Sequence, residues 1–359
     1  MIYLRVFVLV IFFQILSMFK FNGKKIYENL FYFILSSYIF FIAALRDGIG
    51  YDFYAYKALY HKISTSQRGI QDLANRLNIE LGHIILNEIS SNFEFLIFIV
   101  AILGVAVKLW FIKKESSEKF LSLLLYFSGV FLTFDMGVMR QGISISFFLI
   151  SLKYVEERRL PQFIIIIGIG TLFHLSSLIF IPIYFIEGKK FSRLEIYTLT
   201  AIAFFTSMFD LSNLTVKVLS LLPFSIISSK ISYYSTFDTG DISISLIKRI
   251  IVLIIFVEFY ERKKIKDLKS LRYLNGYFLS VLLMGFFSSI DIIGGRGSTG
   301  LYFLQIFVFS TIFSKSRKIY TKLVIFILVI MLSGYSMKSL IKYGNAVGQK
   351  YTPYRSILE

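Results

Sequence analysis

The stretch Tyr38-Ile39-Phe40-Phe41-Ile42-Ala43-Ala44-Leu45-Arg46-Asp47-Gly48-Ile49-Gly50-Tyr51-Asp52-Phe53-Tyr54-Ala55-Tyr56 decides how the chain is read. An apolar run that starts near Leu30 stops at Arg46. Residues 46–52 then bring one guanidinium, two carboxylates and two glycines, with aromatic rings following. A run of this kind closed by charge marks a helix leaving a bilayer, whose hydrocarbon core takes about 20 apolar residues per helix.

Working outward, runs of nearly that length recur along all 359 residues, of which 56% are hydrophobic, and the mean hydropathy is +0.70. The expectation is an all-α, polytopic integral membrane helical bundle forming a single domain over 1–359, with outer loops 46–92 and 212–243 embedded in it. A β-barrel would need short alternating segments, and these runs are continuous. The formal charge of +17 sits in short loops between the runs, which is how membrane orientation is encoded, so no nucleic acid is expected as partner. Zero cysteines exclude disulfides and thiolate metal sites, and three histidines argue against a His-rich one, so no metal and no cofactor is expected.

The first run, Ile2 to Phe19, has its lysines after the apolar core and no small-residue cleavage site, so it reads as an anchor rather than a signal peptide. Placing each dense basic turn in the cytoplasm gives about ten full spans: 2–19, 29–45, 93–112, 120–136, 140–154, 194–211, 244–260, 273–291, 299–313 and 319–336. Residues 162–186 have basic turns at both ends and are too short for two spans, so a broken or re-entrant hairpin is expected, with His174 near its outer bend. The segments 46–92, 135–140, 212–243, 291–298 and 337–359 fall outside. Within the first, Ile70, Leu73, Leu77, Leu81, Ile84 and Ile85 follow a helical period and predict an interfacial helix.

Three arginines stand at the outer edge: Arg46, Arg140 in Met139-Arg140-Gln141-Gly142, and Arg296 in Gly294-Gly295-Arg296-Gly297-Ser298-Thr299-Gly300. Arg140 and Arg296 immediately precede descending helices, whose N-termini suit an anion. The glycine-rich loop with Ser298 fits either phosphate binding or close packing. Asp47, Asp52, Glu80, Asp135 and Asp291 supply carboxylates on that side, Asp47 as the expected partner of Arg46. Asp52, between Tyr51 and Phe53, is the better placed for base or acid work. His174 is a cavity candidate, while His61 and His83 read as loop residues. Tyr51, Tyr54 and Tyr56 fit an interfacial belt or a sugar-binding surface equally.

With these residues in hand, the chain resembles the EpsG/Wzy-type bacterial polysaccharide polymerases, including O-antigen and exopolysaccharide polymerases. The likeness is carried by Arg46 through Tyr56, with Tyr51 where threonine is more usual, and by Glu80 and Gly82 without a proline often found there. Arg140-Gln141-Gly142, the segment Lys153 to Ser176, and the aromatic tail Tyr351-Thr352-Pro353-Tyr354 complete it. The resemblance implies transfer of a growing glycan from undecaprenyl diphosphate onto a lipid-linked repeat unit, at the outer face of the bacterial cytoplasmic (inner) membrane. It implies an undecaprenyl-diphosphate-linked oligosaccharide and membrane lipid as partners, with a chain-length regulator protein as a further one. By role, Asp52, Glu80 or His174 would be the catalytic base. Arg46, Arg140, Gln141, Arg296, Ser298, Tyr51 and Tyr56 would bind diphosphate or sugar. A lipid-linked glycan flippase and an O-antigen-type ligase are the alternative readings.

Overall fold

The computed structural model describes residues 2–19, 25–66, 68–210, 242–290, 293–346 and 351–359. The expected outer loop 212–243 lies almost wholly outside the described residues, as does Asp291. Among the described residues the chain is helical, and its one β feature is an isolated antiparallel bridge between Arg46 and Ser356.

The helices are α1 (Ile2–Met18), α2 (Lys25–Ala44), α3 (Phe53–Ser64), α4 (Ile70–Leu77), α5 (Leu81–Ile89), α6 (Phe93–Glu115) and α7 (Lys119–Leu125). The last continues as a π-helical stretch, Tyr126–Asp135. There follow α8 (Met139–Glu156), α9 (Leu160–Thr171), a 3₁₀ stretch (Leu175–Phe180), α10 (Ile183–Ile186) and α11 (Arg193–Thr206). The chain ends with α12 (Ile242–Arg262), α13 (Leu268–Phe286), α14 (Thr299–Tyr302), α15 (Gln305–Lys315) and α16 (Ile319–Ala346). Three of them, α2, α6 and α16, are long and apolar enough to cross a membrane, and shorter apolar helices accompany them.

Several expected boundaries move. The single interfacial helix over 70–89 is two, because Asn78 takes a left-handed conformation (φ 51°) that ends α4, and Glu80 starts α5. The first part of that loop is itself helical, as α3. The span expected at 299–313 is interrupted between α14 and α15, and the one expected at 319–336 continues to Ala346. Residues 162–186 are broken at 172–174, next to His174.

Helix ends are fixed by local chemistry. Asn92 accepts from the Phe95 N–H at the start of α6, Ser192 and Glu195 form a reciprocal capping box on α11, and Asp267 caps α13. Along α16, Ile325, Phe326, Val329, Ser333 and Met337 are buried, while Leu323, Val324, Ile327, Met331 and Tyr335 are exposed. So large an apolar stripe left uncovered is unfavourable in water and suits a helix facing lipid.

The described residues form two compact units. The first holds residues 1–153, 162–175 and 309–359, the second residues 154–161 and 176–308. In the first, one core joins α3, α5, α6, α8 and the turn after α9 through Phe53, Tyr56, Leu86, Phe93, Met139 and Phe173. In the second, α13 packs on α11 so closely that a Cβ on Gly285 would stand 2.7 Å from the Ala203 carbonyl oxygen.

Candidate functional site

In the first unit, the turn after α2 is built around Arg46. Its side chain is enclosed, with the residue only 2% exposed. Nη1 donates to the Asp135 carbonyl at 2.8 Å and to Met136 Sδ at 3.2 Å, and Nη2 donates to Met139 Sδ at 2.8 Å. Asp47, the partner expected from sequence, is exposed instead, and its N–H donates to the Arg355 carbonyl at 3.1 Å. The C-terminal segment closes over this turn. Tyr351 Oη donates to the Leu132 carbonyl at 2.7 Å, Tyr354 Oη to the Ile42 carbonyl at 3.0 Å, and the Ile357 N–H to the Leu45 carbonyl at 2.9 Å. Gly50, at φ +111°, lies so close to the turn before α8 that a Cβ would sit 1.8 Å from the Met136 carbonyl oxygen. Only glycine meets both demands.

Below Arg46 lies a group that sequence reading passed over. Lys108, inside α6, is fully buried and pairs with Asp135 Oδ1 at 2.7 Å. Its ammonium also donates to the carbonyls of Gly142 (2.7 Å) and Gly104 (3.2 Å) and to Ser146 Oγ (3.1 Å). Tyr126 Oη donates to Asp135 Oδ2 at 2.7 Å. Asp135 therefore balances a lysine with its carboxylate and holds Arg46 with its carbonyl, where the sequence placed it among the outer-face carboxylates. Gly104 sits in a π-helical turn of α6, Ile102–Ala106, and Asp135 ends the longer π stretch after α7. Such widened turns redirect carbonyls and side chains. Gly142 is glycine for a concrete reason: a Cβ there would stand 2.9 Å from both Asp135 Oδ1 and the Phe134 carbonyl oxygen. The signal was available, since a lysine in the middle of an apolar span is costly and needs a named partner.

One step along α8, Arg140 points elsewhere. Its Nη1 pairs with Glu80 Oε2, and both side chains keep some exposure, 22% and 11%. Glu80 is the N-cap residue of α5, and two positions later the Gly82 N–H donates to the Leu172 carbonyl at 2.7 Å. A Cβ on Gly82 would meet that same oxygen at 2.7 Å, so this glycine docks α5 on the turn that carries His174. His174 is buried, 8% exposed. Tyr56, buried on α3, hydrogen-bonds with Arg140; burial drives its hydroxyl above the ordinary tyrosine range, and Asp52 adds to the shift against the opposing charge of Arg140. Asp52 immediately precedes α3 without capping it and is half-buried.

His83, read from sequence as a residue of the outer loop, is instead fully buried, on α5. Its ring meets Tyr56 edge-on, with centroids 5.2 Å apart. Burial, and then the charge of Arg140, push its pKa down to about 3, against a smaller upward pull from Glu80. Asp52, Tyr56, Glu80 and Arg140, four of the residues singled out from sequence, thus share one neighbourhood, and His83 is an addition to it. Tyr51 is half-buried between Tyr343 and Tyr351, at centroid distances of 5.7 and 5.9 Å. Gln141 is fully buried on the inner side of α8.

The second unit holds Arg296, exposed in the turn before α14. Ser298 is committed within that turn. Its hydroxyl donates to the Gly294 carbonyl at 2.6 Å and accepts from Arg249 Nη1 at 2.8 Å. Arg249, buried on α12, lies 4.3 Å from the centre of the Tyr302 ring, and its carbonyl accepts from Tyr277 Oη at 3.1 Å. Sequence reading missed this arginine as it missed Lys108, by treating a charge inside an apolar run as part of the run. Gly294 and Gly300 are packing positions: added Cβ atoms would fall 2.3 Å from the Phe287 carbonyl oxygen and 2.2 Å from the Phe180 ring.

Among the described residues, no cluster of three or more His, Asp or Glu side chains could hold a metal ion. The arrangement offers cation and carboxylate chemistry. No curated protein and no solved structure matches the chain. A family profile does, over residues 29–356, which takes in Arg46, Glu80, Arg140, Arg296 and the Tyr351–Tyr354 tail. With a match of that extent on a helical chain bearing membrane-length apolar helices, this membrane protein belongs to the EpsG family.

Proposed function

We propose that the protein is a polysaccharide polymerase that moves a growing glycan from undecaprenyl diphosphate onto a lipid-linked repeat unit. On this reading the chain crosses the bacterial cytoplasmic membrane about ten times, with one broken hairpin, and its site faces the exterior. The observation that carries it is the pairing of Arg140 with Glu80 at the start of α8, inside the family-matched region and beside Asp52 and Tyr56. Glycosyl transfer from a lipid diphosphate needs two things. A fixed cation must hold the leaving diphosphate, and a carboxylate must take the proton of the attacking hydroxyl.

Arg140 holds the diphosphate; Arg296, exposed in the second unit, is a separate candidate for an anionic part of the substrate. Asp52 or Glu80 is the base, with His174 as the third candidate. Tyr51, half-buried, offers its ring and hydroxyl to sugar, and Tyr56 backs Arg140 from the core. Arg46 is enclosed and acts from behind, setting the position of Met139 and so of Arg140. Ser298 contributes by shaping the turn that carries Arg296, and Gln141 by packing the first turn of α8 beside Arg140. The deciding experiment is a deletion strain scored for glycan length. Surface glycan reduced to single repeats is the expected result. Loss of all surface display would instead indicate a flippase, and long unattached chains a ligase.

A further inference from the structure

We infer that His83 is the group that receives Glu80 when an anionic ligand takes Arg140 away from it. This step rests on the diphosphate reading of Arg140 given above.

The starting point is a side chain with nothing to do. His83 is fully buried, and among the described residues neither Nδ1 nor Nε2 has a hydrogen-bond partner. Buried polar groups are almost always paired, and an exception calls for a state in which it is used. Three polar groups act on the ring. Tyr56 on α3 offers only its edge, Arg140 reaches in from α8, and Glu80 lies three residues earlier at the start of the same helix. Residues three apart on a helix are neighbours. With Glu80 held by Arg140, the imidazole is left aside.

An incoming diphosphate changes the competition. It offers Arg140 more negative charge and a bidentate set of oxygens, so the guanidinium turns to it. Glu80 then loses its cation and needs a donor. The His83 ring, at the third position of the helix that Glu80 starts, supplies one. Once held there, Glu80 keeps its charge and gains a fixed orientation. It accepts the proton of the acceptor sugar hydroxyl as that oxygen bonds to the anomeric carbon. The anomeric carbon–oxygen bond to phosphate breaks, and its electron pair leaves with the polyprenyl diphosphate on Arg140. Donor arrival therefore exposes the base, and water meets a Glu80 that is still locked when no donor is bound. His83 is a positioning residue in this scheme.

The test uses the full chain in lipid nanodiscs with ¹⁵N-labelled histidine. The chain has three histidines, so three imidazoles are seen, and His83→Gln assigns the one of interest. Without ligand, the His83 ring should stay neutral well below the ordinary histidine range. Added inorganic diphosphate should shift its donor nitrogen into a hydrogen-bonded position and raise its midpoint. Arg140→Gln should raise the midpoint with no ligand present. In a glycan-lengthening assay, His83→Leu should lower kcat by about 10²-fold with KM little changed, and His83→Gln, which keeps an N–H, should recover much of it. A His83 signal indifferent to both diphosphate and Arg140→Gln, in a protein that lengthens glycan, would overturn the exchange alone. A diphosphate response at His83 in a protein that does not lengthen glycan would leave the exchange standing and remove the polymerase reading.

Discussion

Arg46 and Arg140 lie in the same unit, each at a border between loop and helix, and the protein treats them in opposite ways. Arg46 is walled in by a carbonyl and two thioether sulfurs, with the C-terminal segment laid across its turn. Thioethers are weak acceptors, so enclosure more than bond strength keeps this guanidinium where it is. Arg140 has a carboxylate partner and retains an opening. A charge surrounded on all sides is scaffold; a charge paired with an exchangeable carboxylate and reached by solvent can be traded to a ligand. The two arginines are alike in sequence context, and only their surroundings tell the roles apart.

The largest effect should come from the base of the scaffold. Lys108→Met would leave the Asp135 carboxylate buried without its cation, and breaking one side of such a pair costs about 3–5 kcal/mol. Thermal unfolding in detergent should show that loss. The double variant Lys108→Met with Asp135→Asn should regain most of it, because two neutral groups replace a stranded charge. A double variant no more stable than the single one would mean that the ammonium's carbonyl contacts to Gly104 and Gly142, and not the ion pair, hold the turn together.

The helical class could be read because apolar runs report on lipid directly, whatever the packing inside. Arg46 and Arg140 were legible because each borders such a run, and Glu80 through the family likeness around Glu80 and Gly82. What stayed hidden was tertiary. The two π turns around Gly104 and Asp135 leave no periodic mark in an all-apolar stretch, so Lys108 and its carboxylate were not connected. Arg249 vanished into an apolar helix in the same way, though it now engages Ser298. His83 was placed in an outer loop because its helix is too short and too polar around it to read as part of a span. Its burial depends on α3 and α8, which lie far from it in sequence.

Next in size is the contrast itself. Arg140→Ala should reduce glycan lengthening by about 10²–10³-fold, the usual loss when a fixed donor to developing charge is removed. Stability should fall less than in Lys108→Met, since the Arg140–Glu80 pair keeps some contact with water while the Lys108–Asp135 pair has none. Arg46→Leu should show the reverse emphasis, with folded protein lost before the specific activity of what remains. If Arg140→Ala unfolded the protein while Arg46→Leu left it stable and inactive, the two roles would have to be exchanged.

The smallest effect is set by pH, and its sign follows from His83. In the unfolded chain this imidazole binds a proton below its ordinary value of 6.5, while in the folded protein burial and Arg140 delay binding to about 3. Between those two values the unfolded state holds more protons, so stability rises with pH across the window and is complete above it. At about pH 5 the shortfall from this one group is about 2 kcal/mol. His83→Gln should flatten that slope in unfolding measurements made across the window, and Arg140→Gln should reduce it by lifting the lower end. The same Arg140→Gln protein should also respond less to diphosphate at His83, because the charge that the ligand would neutralise is already gone. An unchanged slope in both variants would place the acid sensitivity on another group and leave the pocket around Arg140 without its link between ligand charge and the imidazole.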